Sequence, residues 1–234
     1  MTSTLMRRVR TSSPWVVVRN WLFALSRFGE RRGWDWLTYH PGLFVFFHVV
    51  ALRNRQKIGE ALLRSFPGTR AIVDVGAGSG AYAGWFAKQG LNVAACEHSR
   101  LGRTMARLQG ISCRPLDLAA DPPTQIDGNF DLAYSFEVAE HVPPLMGTRL
   151  VTLLHEHAPT VVFTAAHPGQ GGTGHINEQP QRYWIGEFER VGMRYQRDKT
   201  EVLREEFRHA DVAPWLVDNV MVFESAAQNS TNLP

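Results

Sequence analysis

The sequence predicts an α/β fold, a mostly parallel sheet with helices on both faces. Three observations predict it. Short apolar runs alternate with amphipathic helical stretches from residue 55 onward. A glycine-rich turn, GAGSG, joins the first of these runs to the helix after it. Ionisable residues gather at the ends of successive runs. Parallel strands need long crossovers, usually helical, and are buried on both faces, so they read as near-continuous apolar segments.

The elements follow in order. RQKIGEALLRSF places Ile58, Ala61, Leu62 and Phe66 on one helical face, and Pro67-Gly68 stops it. AIVDV is a strand, GAGSG the turn, and AYAGWFAKQG a helix. LNVAACEHS is a second strand and RTMARLQG a helix. ISCRPLDL is a third strand, FDLAYSF a fourth, GTRLVTLLHEHA a helix and TVVFTAA a fifth strand. The glycine-rich loop HPGQGGTGHINEQPQ precedes the helix RYWIGEFERVG. MRYQRDKT comes next, then a further helix near REEFRHADVAPWLV and a last strand, NVMVFE. The expected division is an N-terminal helical extension or lid (1–54), the α/β domain (55–225) and a loose polar tail (226–234).

Composition narrows the setting. The chain has 234 residues, a net charge of +3, and 44% hydrophobic against 20% charged residues, as expected of a globular protein of one domain with an appendage. Cys96 and Cys113, the two cysteines, lack metal-type spacing, which suits a reducing, cytoplasmic setting. Residues 1–34 hold seven arginines and one acid, Glu30. Aromatic residues are interleaved with them, so residues 1–40 read as a helical cap on the domain, as a basic amphipathic helix lying on anionic lipid, or as an organelle presequence. The apolar stretch Leu43–Leu52 is about half the length that spans a bilayer.

Sheets of this kind bind ligands at the carboxyl ends of their strands, and the chemistry-bearing residues lie there. In VDVGAGSG, Gly76, Gly78 and Gly80 let the backbone approach a ligand closely. Taken alone, the turn could also hold a dinucleotide, or nothing. With its context it resembles motif I of the class I S-adenosylmethionine-dependent methyltransferases. Asp74 fits that motif's acid, and Gly76, Gly78 and Gly80, with Ala77 between them, fit its glycines. Glu97, followed by His98, fits the family's ribose-binding acid; Asp117 and Leu118 fit the residues meeting adenine; and Phe136 ends the fourth strand beside them. The resemblance implies a Rossmann-like, seven-stranded sheet with an antiparallel last strand, and S-adenosylmethionine as cofactor.

SFEVAEHVPP, after the fourth strand, concentrates Glu137, Glu140 and His141. The pattern Glu-x-x-Glu-His resembles that of ubiquinone-biosynthesis O-methyltransferases and of small-RNA 2′-O-methyltransferases. There, acids and histidines hold a divalent metal. The resemblance implies Glu137, Glu140 and His141 as ligands here, with His175 as the fourth and magnesium, manganese, iron or zinc as the metal. Positions i, i+3 and i+4 share one face of a helical turn, which would bring the three together. Two other readings stand beside it: a metal-free site with His141 or His175 as base and Glu140 in support, and acids that merely favour a helix start.

The expected reaction is therefore methylation of a small molecule, on oxygen. The competing readings are methylation of a terminal RNA ribose and a cofactor-binding interaction module without catalysis. The domain around the site is not basic, which argues against nucleic acid as a partner. The acceptor and the oligomeric state are not encoded in any pattern of the sequence.

Overall fold

The computed structural model describes residues 14–32, 41–121 and 124–226. The expected loose tail, apart from its first residue, and the extreme N-terminus of the extension lie outside the described residues.

Strand β1 (Ala71–Val75) is central, parallel to β2 (Asn92–Glu97) on one side and β4 (Leu132–Phe136) on the other. β3 (Cys113–Pro115) extends the sheet beyond β2, and β5 (Thr160–Thr164) extends it beyond β4. β7 (Met221–Ser225) runs antiparallel to both β5 and the edge strand β6 (Met193–Tyr195). The order is β3-β2-β1-β4-β5-β7-β6. This is the expected seven-stranded, mostly parallel sheet with an antiparallel last strand. Strand order reverses between β1 and β4, the place where sheets of this kind bind ligands beyond the carboxyl ends of their strands. The glycine turn follows β1 and SFEVAEH follows β4, so neighbouring strands deliver both motifs to one place.

Helices cover both faces. α1 (Pro14–Arg32) packs on α2 (Pro41–Ser65). α3 (Ala81–Lys88) and α4 (Arg100–Leu108) follow β1 and β2, α5 (Pro144–His157) precedes β5, and α6 (Gln181–Arg190) precedes β6. α7 (Arg197–His209) and α8 (Pro214–Asn219) precede β7. Alternate strand residues feed opposite cores, as the period of two requires. Val73, Ala133, Val161 and Phe163 face α5 and α6, meeting Leu150, Leu154, Trp184 and Phe188. Ile72, Leu132, Tyr134 and Val162 face α2, α3, α7 and α8, meeting Ile58, Leu62, Phe86, Phe207 and Leu216.

Two elements differ from expectation. The helix expected to begin near Arg55 begins at Pro41 and runs unbroken through residue 54, so the extension and the domain share it. Ile58, Ala61 and Leu62 are buried as expected. The single helix expected near REEFRHADVAPWLV is two, α7 and α8, separated at Asp211 (φ 52°) and restarted at Pro214. Among the described residues no helix is long and apolar enough to cross a membrane.

Candidate active site

The glycine turn is pinned to β2. The amides of Gly76 and Ala77 both donate to the carbonyl of Cys96 at 2.9 Å. Gly78 and Gly80 have φ of 52° and 70°, the left-handed region where a side chain is strained. They differ in what surrounds them. A Cβ on Gly80 would lie 2.9 Å from the Ala106 backbone, whereas a Cβ on Gly78 would meet nothing within 4 Å. Gly80 therefore packs the protein together, and Gly78 faces open space a ligand can fill. Gly80→Ala should lower the thermal midpoint by several degrees. Gly78→Val should cost about 1 kcal/mol of stability yet weaken S-adenosylhomocysteine binding at least tenfold, as calorimetry would show. Ala77 is buried among small residues, with Ala83, Ala95 and Ala106.

Asp74, at 2% exposure, accepts from the hydroxyl of Tyr134 on the adjacent strand at 2.7 Å. Burial pushes its carboxyl up to about 7; the Tyr134 bond opposes this and the Glu97 charge adds to it. Glu97 accepts from the Gly78 amide on Oε2 (2.8 Å) and from the Ser99 amide on Oε1 (2.6 Å). Each oxygen keeps a second lone pair, enough for a ribose diol. His98 is exposed, its Nδ1 bonded to the Leu116 carbonyl at 3.0 Å. Asp117 is exposed and caps its own loop, Oδ1 accepting from Ala119 and Ala120, while Leu118 turns into the core. Phe136 stacks on Tyr134 at 4.9 Å. Open space at Gly78 and free acceptor lone pairs on Glu97 and Asp117 suit an adenosine cofactor.

On the other side of β1, β4 ends at Glu137 with φ 55°, a left-handed conformation uncommon outside glycine. Its amide donates to both the carbonyl and the hydroxyl of Thr164. This kink breaks the expected helical register, and the turn Ala139–His141 starts only beyond it. Glu137 consequently points to other partners: Asn219 donates to Oε1 at 3.0 Å and Gln170 to Oε2 at 3.3 Å.

Glu140, His141 and His175 do meet. A carboxylate oxygen and one nitrogen from each imidazole all lie within 4.8 Å of one another, a group that does not include Glu137. The two rings pack edge to face with centroids 4.9 Å apart. The loop after β5 is stitched to the turn: Ile176 and Asn177 amides donate to the Glu140 carbonyl, and the Asn177 side chain to the Ala139 carbonyl. His141 Nδ1 bonds the carbonyl of Gly174 at 3.2 Å. A carbonyl only accepts, so Nδ1 carries the hydrogen and Nε2 the lone pair.

The electrostatics are unusual. Glu140 is fully buried, and among the described residues no group donates to either of its side-chain oxygens. Burial, then the charge of Glu137 and a side-chain hydrogen bond with the Glu137 carboxyl, hold its carboxyl well above the usual range, while the Glu140 and Ala166 amides pull the other way. Burial, then His175, lowers His141 to about 4. At neutral pH the cluster thus holds a neutral imidazole and a carboxyl lacking any compensating charge. A divalent cation supplies what such a group lacks, and the mixed oxygen and nitrogen donor set fits one.

Several participants escaped the sequence reading. Gln170 and Glu178 sit in the quoted loop, but nothing local marks their partners. Asn219 lies 82 residues from Glu137. His48, in the apolar first half of α2, bonds Ser79 of the glycine turn at 2.8 Å, tying the N-terminal helix to the cofactor side.

Residues 73–156 match the family model described as a methyltransferase domain. No curated protein sequence matches the chain. Among solved structures, the chain resembles an amino pentose methyltransferase from Micromonospora echinaspora, solved with S-adenosylmethionine (14% identity, TM-score 0.56, covering 78% of this chain and 97% of that one). It also resembles mitomycin 7-O-methyltransferase (16%, 0.55, 80% and 64%) and the cyclase SpnF (14%, 0.51, 73% and 80%). At these identities the likeness is one of fold. Together with the methyltransferase-domain match over residues 73–156, it shows the Rossmann-like fold shared by S-adenosylmethionine-dependent methyltransferases.

Proposed function

We propose that the protein methylates a small molecule on oxygen, assisted by a divalent metal held by Glu140, His141 and His175. The observation that carries this reading is the buried carboxyl of Glu140, with no donor to its oxygens among the described residues, beside two imidazoles. The likeness to mitomycin 7-O-methyltransferase is compatible with it, while that to a cyclase is a reminder that a fold hosts more than one reaction. Glu97, oriented by the Gly78 amide, holds the cofactor in place. Bound S-adenosylmethionine supplies an electrophilic methyl group. A bound metal would acidify an acceptor hydroxyl. His141, whose burial lowers its pKa and leaves its imidazole neutral, takes the proton from that hydroxyl. The Glu137–Gln170–Asn219 network braces the kinked end of β4 and leaves Glu140 in the turn that follows it.

The test is S-adenosylhomocysteine release with a panel of phenols, catechols and sugar alcohols, before and after chelation. Turnover lost on chelation and restored by manganese or magnesium supports the metal. Turnover that survives both chelation and His141→Ala with His175→Ala removes the mechanism, though not the class.

We also propose that α1 rests on an anionic membrane surface. Trp21 and Phe28, 63% and 47% exposed, share an outward face with Ala24, Arg31 and Arg32, so an apolar stripe faces away from the domain with cations beside it. Full-length protein should co-sediment with phosphatidylglycerol vesicles but not with phosphatidylcholine alone. Trp21→Glu should abolish this without changing cofactor affinity; co-sedimentation unaltered by that change would overturn the assignment.

A further inference from the structure

The loop after β5 is organised by one side chain, Glu178. Its carboxylate accepts from the Gly169 amide on Oε2 at 2.8 Å and from the Gly171 amide on Oε1 at 2.8 Å, and it bonds Nδ1 of His175 on Oε1 at 2.9 Å. Both of its oxygens already accept backbone N–H groups, the arrangement of a carboxylate and not of a carboxylic acid. An ionised carboxylate has no hydrogen to give. The hydrogen in the bond to His175 therefore sits on Nδ1, and Nε2 is the nitrogen left with a lone pair. The imidazole is restrained from a second side. Gly172 passes so close that a Cβ there would lie 2.2 Å from Nε2. A ring gripped by an acid at one nitrogen and by bare backbone near the other has little freedom to turn.

We propose that Glu178 is a positioning residue: it fixes His175 in the Nδ1–H form and couples that form to the closed shape of the 167–178 loop, so that His175 offers Nε2 to the cluster it shares with Glu140 and His141. This rests on the reading of those three residues as the working cluster. A carboxylate behind a ligating histidine raises its basicity and holds its orientation, and loss of such a partner usually weakens metal binding about 10–100-fold. A mere loop latch would need only the two glycine amides. The third bond, to His175, links the latch to the chemistry.

The test uses full-length protein labelled with 15N-histidine, as wild type, Glu178→Ala, Glu178→Gln and, to assign the signals, His175→Ala. Manganese alone is titrated by calorimetry, and S-adenosylhomocysteine binding is measured as a check on the fold. The expected result for Glu178→Ala is a loss of manganese affinity of about 10–100-fold. The His175 ring nitrogens should move from the Nδ1–H pattern to that of an exchanging mixture, with S-adenosylhomocysteine affinity unchanged. Glu178→Gln, whose single carbonyl oxygen can serve fewer of the three donors, should fall between. Wild-type nitrogen signals and manganese affinity in both variants overturn the proposal. So does a parallel loss of S-adenosylhomocysteine binding in both, which would make Glu178 a fold residue. If the wild type itself takes no manganese, the metal reading fails on its own, and the nitrogen signals alone decide the role of Glu178.

Discussion

Glu140→Gln is expected to lower turnover by at least about 100-fold, the scale on which removing a buried electrostatic element acts, while raising the stability of the metal-free protein. The two effects have one cause. Glu140 has 0% exposure, among the described residues no group donates to either oxygen, and the Glu137 carboxyl lies beside it, so its ionised form is costly in the fold. Its folded pKa is raised, chiefly by burial. The native state therefore keeps its proton above the pH at which the unfolded chain releases it. By linkage, stability falls as pH climbs above the ordinary carboxylate value and goes on falling until the raised folded pKa is reached. Glutamine has nearly the same shape and no charge, so it escapes that loss. The variant should melt higher than wild type at pH 8 and close to it at pH 4, in chelator throughout. Added manganese should raise the wild-type midpoint and leave the variant where it is. Equal midpoints across this range would mean that the carboxylate finds compensation unconnected with a cation. S-adenosylhomocysteine affinity should be the same in both proteins, because Glu97 and the glycine turn lie at the ends of β2 and β1, whereas Glu140 lies beyond β4.

The contrast between Glu137 and Glu140 also shows where sequence reasoning stops. The sheet was readable because strands buried on both faces must be apolar throughout, and β1, β4 and β5 are. The glycine turn and the acid Glu97 at the end of β2 were readable because they are local features of backbone conformation and of strand ends. The start of α2 was not. FVFFHVV is apolar on every side, so it shows no 3.6-residue period to reveal a helix, although Pro41–Ser65 is a single helix. On the catalytic side, spacing alone put Glu137, Glu140 and His141 on one helical face. A single backbone torsion, φ 55° at Glu137, takes that residue out of the helical turn and out of the group formed by Glu140, His141 and His175. No residue type near Glu137 announces the kink. Thr164 on the neighbouring strand sustains it by accepting the Glu137 amide twice. His175 could be nominated from its loop, but Glu178 behind it could not, because its role depends on the loop folding back so that Gly169 and Gly171 reach the same carboxylate.

Asp74→Asn carries the second large expectation, and its sign follows the same linkage. Asp74 is moved from an ordinary 3.8 to about 7, with burial the leading cause. Between those values the folded protein holds a proton that the unfolded chain lacks, so this residue makes stability fall as pH rises from about 4 to about 7 and contributes no further slope above that. The full difference corresponds to about 4 kcal/mol as a ceiling, at about 1.4 kcal/mol for each tenfold in proton affinity. Asparagine removes the slope but keeps a carbonyl oxygen to accept from Tyr134, whose hydroxyl lies 2.7 Å from the present carboxylate. Urea midpoints of variant and wild type should therefore nearly coincide at pH 4.5 and separate steadily up to pH 7.5, the variant being the more stable. Tyr134→Phe should act in the opposite sense. It strips the buried carboxyl of its one side-chain donor, costs about 1–3 kcal/mol, and should do most damage at the alkaline end, where the carboxylate is charged. If the Asp74→Asn and wild-type midpoints stay parallel across the range, the carboxyl titrates normally, and the buried pair between β1 and β4 is held by something other than the Tyr134 hydrogen bond. S-adenosylhomocysteine affinity separates stability from function: an acid that only braces the strand end leaves it unchanged on substitution, whereas one that also orders the glycine turn loses cofactor along with its charge.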